Sequence, residues 1–350
     1  MTDSRSSSAI LMGNEAMGRG LVEASCHVVT SYPGTPSSEI LPAVVRFKTQ
    51  EALALHTHWA INEKVAFDEA LAAAYTGKRA AVIMKQVGLN VAADSLMSAA
   101  YTGVKGGFLI ISADDPGPQS SQTEQDSRFF ALFAKIPVFD PADPVEAKEM
   151  IPLAFELSEK HEIPVMLRPT TRVCHARMDV PLAPVRWIER HADFRKDPRR
   201  WAATPVYRFH LHRLLNEKLR LIQTEFETAA ELNYRSPGSG GAALGIIAAG
   251  VSYAVLRDVL ADLGLEGSIS ILKIGTPHPL PHGLVDSFMA EHERVLVLED
   301  PDVTIEIQIK DRRTLHGRLD GTVPSEGELT PEVIHRLLAD LSPASLPRPE

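Results

Sequence analysis

Three short segments hold residue types that could act together on a ligand. The first is Ser31-Tyr32-Pro33-Gly34-Thr35-Pro36-Ser37-Ser38-Glu39, where Thr35 stands between Gly34 and Pro36. Such a turn is stiff, so the Thr35 hydroxyl can be held toward a crevice instead of sampling rotamers in solvent. Ser37 or Ser38 could equally cap a following helix, and the two roles are compatible. The second segment is Asn62-Glu63, with Asn62 suited to an N-cap and Glu63 in a first helical turn. The helix dipole stabilises a charged carboxylate there by about 0.3–1 kcal/mol. A proton-donating role would need burial to raise its pKa against that bias. The third is Met84-Lys85-Gln86-Val87-Gly88-Leu89-Asn90. Lys85 offers a cation to a carboxylate or is a solvated strand end, Gln86 and Asn90 offer neutral hydrogen bonds, and Gly88 permits close backbone approach by a ligand. The loop Asp114–Arg128 is too polar for a core; it borders a site or a partner, or caps a helix at the surface.

These residues need a frame that brings distant loops together. Residues 9 to 170 alternate short apolar runs with helical stretches, the pattern of a parallel sheet covered by helices. Strands are expected at Cys26–Thr30, Ala80–Lys85, Phe108–Ser112, Ile136–Phe139 and Pro164–Leu167. Helices are expected at Asn14–Ala24, Ser37–Lys48, Asn62–Thr76, Asn90–Tyr101 and Pro144–Lys160. In such a sheet the crevice lies at the carboxyl ends of the strands, where all three segments fall. Residues 186 to 241 are Arg- and His-rich, with an amphipathic helix expected at His210–Leu232 and a flexible stretch at Ser236–Gly241. A second α/β unit follows over 242–341, so the expected division is a tail 1–8, a first domain 9–185, a linker with helix 186–241, a second domain 242–341 and a tail 342–350.

The 350 residues, 44% hydrophobic, suffice for two cores. Lys and Arg total 36 against 45 acids, a balance of −9, so a nucleic-acid footprint is not expected. No apolar run approaches the ~20 residues of a membrane span, which points to no membrane insertion and a cytoplasmic protein. Cys26 and Cys174 cannot ligate a cluster by themselves, and the His56/His58, His210/His212 and His278/His282 spots lack the spacing of a recognised metal site. The Gly13–Gly20 cluster lacks a P-loop ending.

With Trp59-Ala60-Ile61-Asn62-Glu63-Lys64-Val65-Ala66, the Tyr32–Glu39 and Met84–Asn90 segments, and Ser120-Ser121-Gln122-Thr123-Glu124-Gln125-Asp126-Ser127-Arg128, the chain resembles the 2-oxoacid:ferredoxin oxidoreductases, in particular the indolepyruvate:ferredoxin oxidoreductase catalytic subunit. The resemblance implies a thiamine diphosphate pyrimidine domain followed by a transketolase C-terminal-like domain. It assigns Glu63 as the carboxyl against N1′ of the aminopyrimidine and Thr35 as a substrate contact. It implies cofactor contacts at Tyr32, Pro33, Gly34, Gly88 and Asn90, and substrate contacts at Lys85, Gln86 and Arg128; the family usually has His where Gln86 stands. The small residues of Asn90–Gly103 are expected to meet a partner or to pack tightly on their own sheet.

No Gly-Asp-Gly with a later Asn, the usual diphosphate and Mg²⁺ motif of the family, occurs in the sequence. The resemblance therefore implies a split enzyme: a partner polypeptide supplies the diphosphate and Mg²⁺ site, iron–sulfur clusters sit on partner chains, and a 2-oxoacid and CoA are the substrates. An aryl 2-oxoacid such as indolepyruvate or phenylglyoxylate is expected. A non-oxidative thiamine-dependent decarboxylase, a transketolase-like subunit and a non-catalytic scaffold are the alternatives.

Overall fold

The computed structural model describes residues 8–239 and 241–341. The expected tails, apart from Ser8, and Gly240 of the expected flexible stretch lie outside the described residues. The first part of the chain runs β1 (Ser8–Met12), α1 (Gly13–Glu23), β2 (Val28–Ser31), α2 (Ile40–Gln50), β3 (His56–Trp59), α3 (Glu63–Tyr75), β4 (Ala80–Lys85), α4 (Gln86–Thr102), β5 (Phe108–Ala113), α5 (Ser127–Ala134), β6 (Val138–Phe139), α6 (Pro144–His161), β7 (Val165–Leu167), α7 (Thr171–His175) and β8 (Arg177–Pro181). Six strands form one parallel sheet in the order β3-β2-β4-β5-β7-β6, while β1 and β8 pair antiparallel as a separate ribbon.

The central strands read as near-continuous apolar runs, Ala-Ala-Val-Ile-Met in β4 and Phe-Leu-Ile-Ile in β5, because helices cover both faces. In the register, Ser31 pairs with Trp59 and Ile83, and Lys85 pairs with Ala113, so the carboxyl ends of β2 to β5 lie along one edge. From β2 the chain winds first to β3 on one side and then to β4 on the other. That reversal makes β2/β4 the topological switch point, where a ligand crevice opens.

The first helix boundary that matters differs from expectation. α4 begins at Gln86, not Asn90, so Gln86 and Gly88 belong to its first turn and Lys85 is its N-cap residue. Gly88 reads as loop punctuation in sequence, but here it is a helical residue whose missing side chain leaves room for a neighbour.

The 186–241 region is no simple linker. His27 Nε2 is 2.9 Å from the Ile188 carbonyl, Lys78 Nζ donates to the Arg190 carbonyl at 2.9 Å, and Trp201 of α8 (Pro198–Trp201) packs on Tyr75, 4.8 Å between ring centroids. The helix α9 spans Pro205–Phe226 rather than His210–Leu232, starting one residue after Thr204 because Pro suits a first helical position. β9 (Asn233–Ser236) then joins the second sheet as an antiparallel edge. That sheet has the order β13-β12-β10-β11-β9, built with β10 (Gly245–Ala249), β11 (Ser270–Ile274), β12 (Val295–Leu298) and β13 (Leu315–His316). Helices α10 (Gly250–Asp262), α11 (His282–Ala290) and α12 (Pro331–Leu341) accompany it, with separate apolar clusters on the two faces.

Candidate functional site

The turn after β2 is fixed from several sides. The Ser37 hydroxyl donates to the Gly34 carbonyl at 2.9 Å, and the Ser38 hydroxyl accepts from Gly34 N–H at 2.9 Å. From α1, the Asn14 amide donates to the Pro36 carbonyl and to Glu39 Oε2, both at 2.7 Å. Tyr32, Pro33 and Thr35 are left exposed at this rim. A Cβ added to Gly34 would lie 2.9 Å from Cγ and Cδ of Lys85, so the Lys85 stem rests on the Gly34 backbone across the switch point.

On the other side, Asn62 N-caps α3 through Val65 N–H at 2.9 Å, which places Glu63 in the first turn. A Cβ on Gly88 would lie 2.6 Å from both Cγ and Oε1 of Glu63. The Glu63 side chain thus lies across the first turn of α4, in a space only glycine leaves. Lys64, the next residue, ties α3 to α4 through Asp94 (3.0 Å) and Ser95 (2.9 Å).

The polar loop closes the third side. Asp115 accepts from Gln119 N–H (3.2 Å), Ser120 N–H (2.9 Å) and the Thr171 hydroxyl (2.7 Å). Burial pushes the Asp115 carboxyl up, but these donors outweigh it and hold it below its ordinary value. The loop so shaped brings the Ser120 hydroxyl 3.4 Å from the Thr35 carbonyl and the Ser121 hydroxyl 2.9 Å from Gln86 Nε2. Gln86 is 1% exposed, and its Oε1 is buried with no protein partner. Asn90 is exposed on α4, one turn beyond.

Structure therefore gathers Tyr32, Pro33, Gly34, Thr35, Glu63, Lys85, Gln86, Gly88 and Asn90 along one edge of the sheet. Lys85 is half-buried, and among the described residues no carboxylate pairs with it. Apolar side chains rim the edge: Tyr32, Trp59, Val65 and Val91 are exposed, and Ile61 is 82% exposed.

Arg128 is the exception. Expected at the substrate, it is fully buried at the domain junction, with Asp126 at 2.6 Å, Glu299 at 3.2 Å and Asp140 at 3.5 Å, and it donates to the Asp302 carbonyl at 3.1 Å. Its guanidinium is consumed by acids from both domains, which leaves nothing for a ligand in the cleft. Alongside it Arg168 binds Asp114 (2.7 Å) and Asp140 (3.4 Å), and Arg318 binds Asp300 (2.8 Å). Burial pushes Glu299 up to about 7 despite the opposing pull of Arg128.

Sequence reasoning did not single out Asn14, Asp115, Ser120 or Ser121 as organisers of the cleft. Asn14 acts through contacts 22 and 25 residues away, for which no local pattern exists. The serines stood in a motif already marked polar, and only the fold shows which of them reach Thr35 and Gln86.

Comparison with known proteins gives this edge its family. Residues 19–233 match the pyruvate flavodoxin/ferredoxin oxidoreductase, thiamine diphosphate-binding family model, a span that holds every cleft residue above except Asn14. The chain belongs to that thiamine diphosphate-binding family. Among curated relatives, indolepyruvate oxidoreductase subunit IorA of Thermococcus kodakarensis is 43% identical over 92% of this chain and 50% of its own length. The same subunit from Methanothermobacter thermautotrophicus is 39% identical over 95% of this chain and 54% of its own. The chain spans about half the length of the curated relatives it matches. A 2-oxoglutarate:ferredoxin oxidoreductase from Magnetococcus marinus, solved with 2-oxoglutarate, coenzyme A and succinyl-CoA bound, has the same fold with a TM-score of 0.72, at 18% identity over 90% of this chain and 63% of its own. The α/β architecture of a thiamine diphosphate-enzyme domain followed by a smaller α/β domain is thus the architecture of this family member. Among the described residues no group of His, Cys, Asp and Glu is arranged to hold a metal, and no helix is long and apolar enough to cross a membrane.

Proposed function

We propose that this chain supplies the pyrimidine side of the site in a multi-subunit, cytoplasmic thiamine diphosphate-dependent 2-oxoacid oxidoreductase. The substrate is an aryl 2-oxoacid of the indolepyruvate or phenylglyoxylate kind; the acyl group passes to CoA and the electrons to iron–sulfur clusters on partner chains. One observation carries the reading: Glu63 lies over Gly88 at the switch-point edge, with Lys85, which pairs with no carboxylate among the described residues, across the gap. The residues fit the aminopyrimidine end of the cofactor. They offer a carboxyl in a space kept free of side chain and a buried Gln86 acceptor that lacks a donor.

Bound thiamine diphosphate would supply a nucleophilic carbon and an electron sink for loss of the 2-oxoacid carboxylate. This chain's residues orient and hold protons. Glu63 holds a proton at N1′ of the pyrimidine. Gly34 and Gly88 admit close approach, with Tyr32, Pro33 and Asn90 at the rim. Lys85 meets the substrate carboxylate, Thr35 presents its hydroxyl beside the 2-oxo group, and Gln86 accepts a hydrogen bond. A partner chain holds the diphosphate and Mg²⁺, and the apolar rim of Trp59, Ile61, Val65 and Val91 is the surface it covers, excluding water.

The test is Glu63→Gln in the reconstituted complex. The complex should assemble normally by native mass spectrometry while kcat falls by about 10²–10⁴, the worth of a positioned acid–base group. Turnover near wild type rejects the role of Glu63. A complex without a cluster-bearing chain rejects the oxidative reading and leaves a decarboxylase.

A further inference from the structure

Away from the cleft, a cavity of about 560 Å³ is lined by the last turn of α4, by α8 and by α9. This is the size of a small-molecule site. Its apolar wall is made by Tyr101 of α4 and by Tyr207, Leu211 and Leu214 of α9, and its charged wall holds Arg199, His210 and Lys218. Two acids line it as well, and both are engaged within the chain. Asp197 accepts the Arg199 backbone N–H at 3.0 Å as the cap of α8, and Glu162 is met by Arg200 at 2.9 Å and by Lys105 at 3.1 Å. Among the described residues no ion pair engages Arg199, His210 or Lys218.

Lys218 is the group that most needs an anion. Its Nζ donates to the Glu162 carbonyl at 2.8 Å, and the other two of its three donors have no protein partner among the described residues. Gly103, at φ +68°, leaves the room this amine takes, since a Cβ there would lie 3.3 Å from Nζ. Burial, helped by the repulsion of Arg200 and opposed by Glu162, pushes Lys218 down to about 8. A half-buried ammonium without a carboxylate carries a desolvation cost that a bound anion removes. The surroundings favour the same sign: from Arg186 to Arg220 ten Lys and Arg stand against four acids, in a chain whose balance is −9. The acids of the wall set the limit. Asp197 and Glu162 repel a polyanion, so a single negative charge on a flat apolar body is the better match.

We propose that this cavity binds an aromatic monocarboxylate, its carboxylate between Lys218 and Arg199 and its ring against Tyr207 and Leu214. The site is separate from the cleft, because the two lie at opposite ends of α4: Gln86 and Gly88 stand in its first turn, Tyr101 and Thr102 in its last. A helix of 17 residues spaces its ends by about 25 Å. The ligand class follows from the cavity alone and stands whether or not the cleft performs oxidoreductase chemistry.

Calorimetry of the full chain with indole-3-acetate, an aromatic monocarboxylate without a 2-oxo group, tests binding without any turnover. Indole-3-acetate should bind, and the neutral indole-3-acetamide and the ringless acetate should each bind at least about tenfold less tightly. Adenosine monophosphate, flat but doubly charged, should also bind less tightly than indole-3-acetate. Because a carboxylate favours the ammonium form of Lys218, binding at pH 8 should take up protons, seen as an enthalpy that varies with the ionisation heat of the buffer. Lys218→Met should abolish that uptake and weaken indole-3-acetate about tenfold. Arg199→Ala, at an exposed position, should weaken it and keep the uptake. Lys85→Met in the cleft should leave the affinity unchanged. No binding to the folded chain, equal affinity for the amide or for acetate, or tighter binding of the nucleotide overturns the proposal. So does unchanged affinity in both Lys218→Met and Arg199→Ala, or a loss of affinity in Lys85→Met in their place.

Discussion

The cleft and the domain junction are made of the same residue types and behave in opposite ways. At the junction, Arg128, Arg168 and Arg318 are buried among Asp114, Asp126, Asp140, Glu299 and Asp300, so each guanidinium has a carboxyl partner within the protein, although Arg168 Nη2 makes no hydrogen bond among the described residues. In the cleft, among the described residues, Lys85 has no acid and Gln86 Oε1 has no donor, and the Glu63 side chain lies against a glycine. Ion-paired cations join the domains; the cation of the cleft is left for a ligand. A cation in a family motif is therefore informative about binding only after its partners within the chain are known.

Four substitutions press on that contrast. The largest effect is expected at the junction: Arg128→Met strands three buried acids, and loss of one partner of a buried pair costs about 3–5 kcal/mol. Chemical denaturation should show that loss. A variant as stable as wild type, with weakened substrate binding, would return Arg128 to the site. Gly88→Ala should do the reverse. Its new methyl would meet the Glu63 carboxyl at 2.6 Å. Displacing that group by about 1 Å should lower kcat about 10²-fold at nearly unchanged stability. Lys85→Met should raise KM for the 2-oxoacid by about tenfold or more with a smaller change in kcat, as removing a charged hydrogen bond to the substrate would. An unchanged KM places the carboxylate elsewhere.

The last effect is a pH dependence. The folded-state value of Glu299, about 7, lies above the ordinary 4.5, so the folded chain keeps a proton that the unfolded chain releases. Stability from this group is present at low pH, falls as pH rises from about 4.5 to about 7, and levels off above. Glu299→Gln should remove that slope from the denaturation midpoint measured between pH 5 and 8. An identical slope in the variant shows that another group is responsible.

Much of this was legible before any coordinates. The alternation of apolar runs and helices marked the parallel sheet, since both-face burial demands strands such as Ala80–Met84. The Asn62 N-cap followed from residue type, and the structure forms it. The start of α4 at Gln86 was not legible, because Gly88 signals a loop unless one knows that Glu63 occupies its side-chain space. Nor was the ribbon of β1 and β8, whose partners stand about 170 residues apart. The placement of 186–204 against the first domain was hidden too, since several of its contacts use backbone carbonyls, such as those of Ile188 and Arg190, and its side-chain contacts, such as Trp201 on Tyr75, are far apart in sequence.

What the sequence determined by itself was periodicity, caps and turn stiffness, which are local consequences of side-chain shape and backbone freedom. Which charges face each other was decided only by the tertiary structure. Arg128 and Lys85 are both cations in polar motifs; one met three acids at the joining of two domains and the other met none among the described residues. Electrostatic partnership is a matter of distance in space, and the chain's order along itself does not encode it.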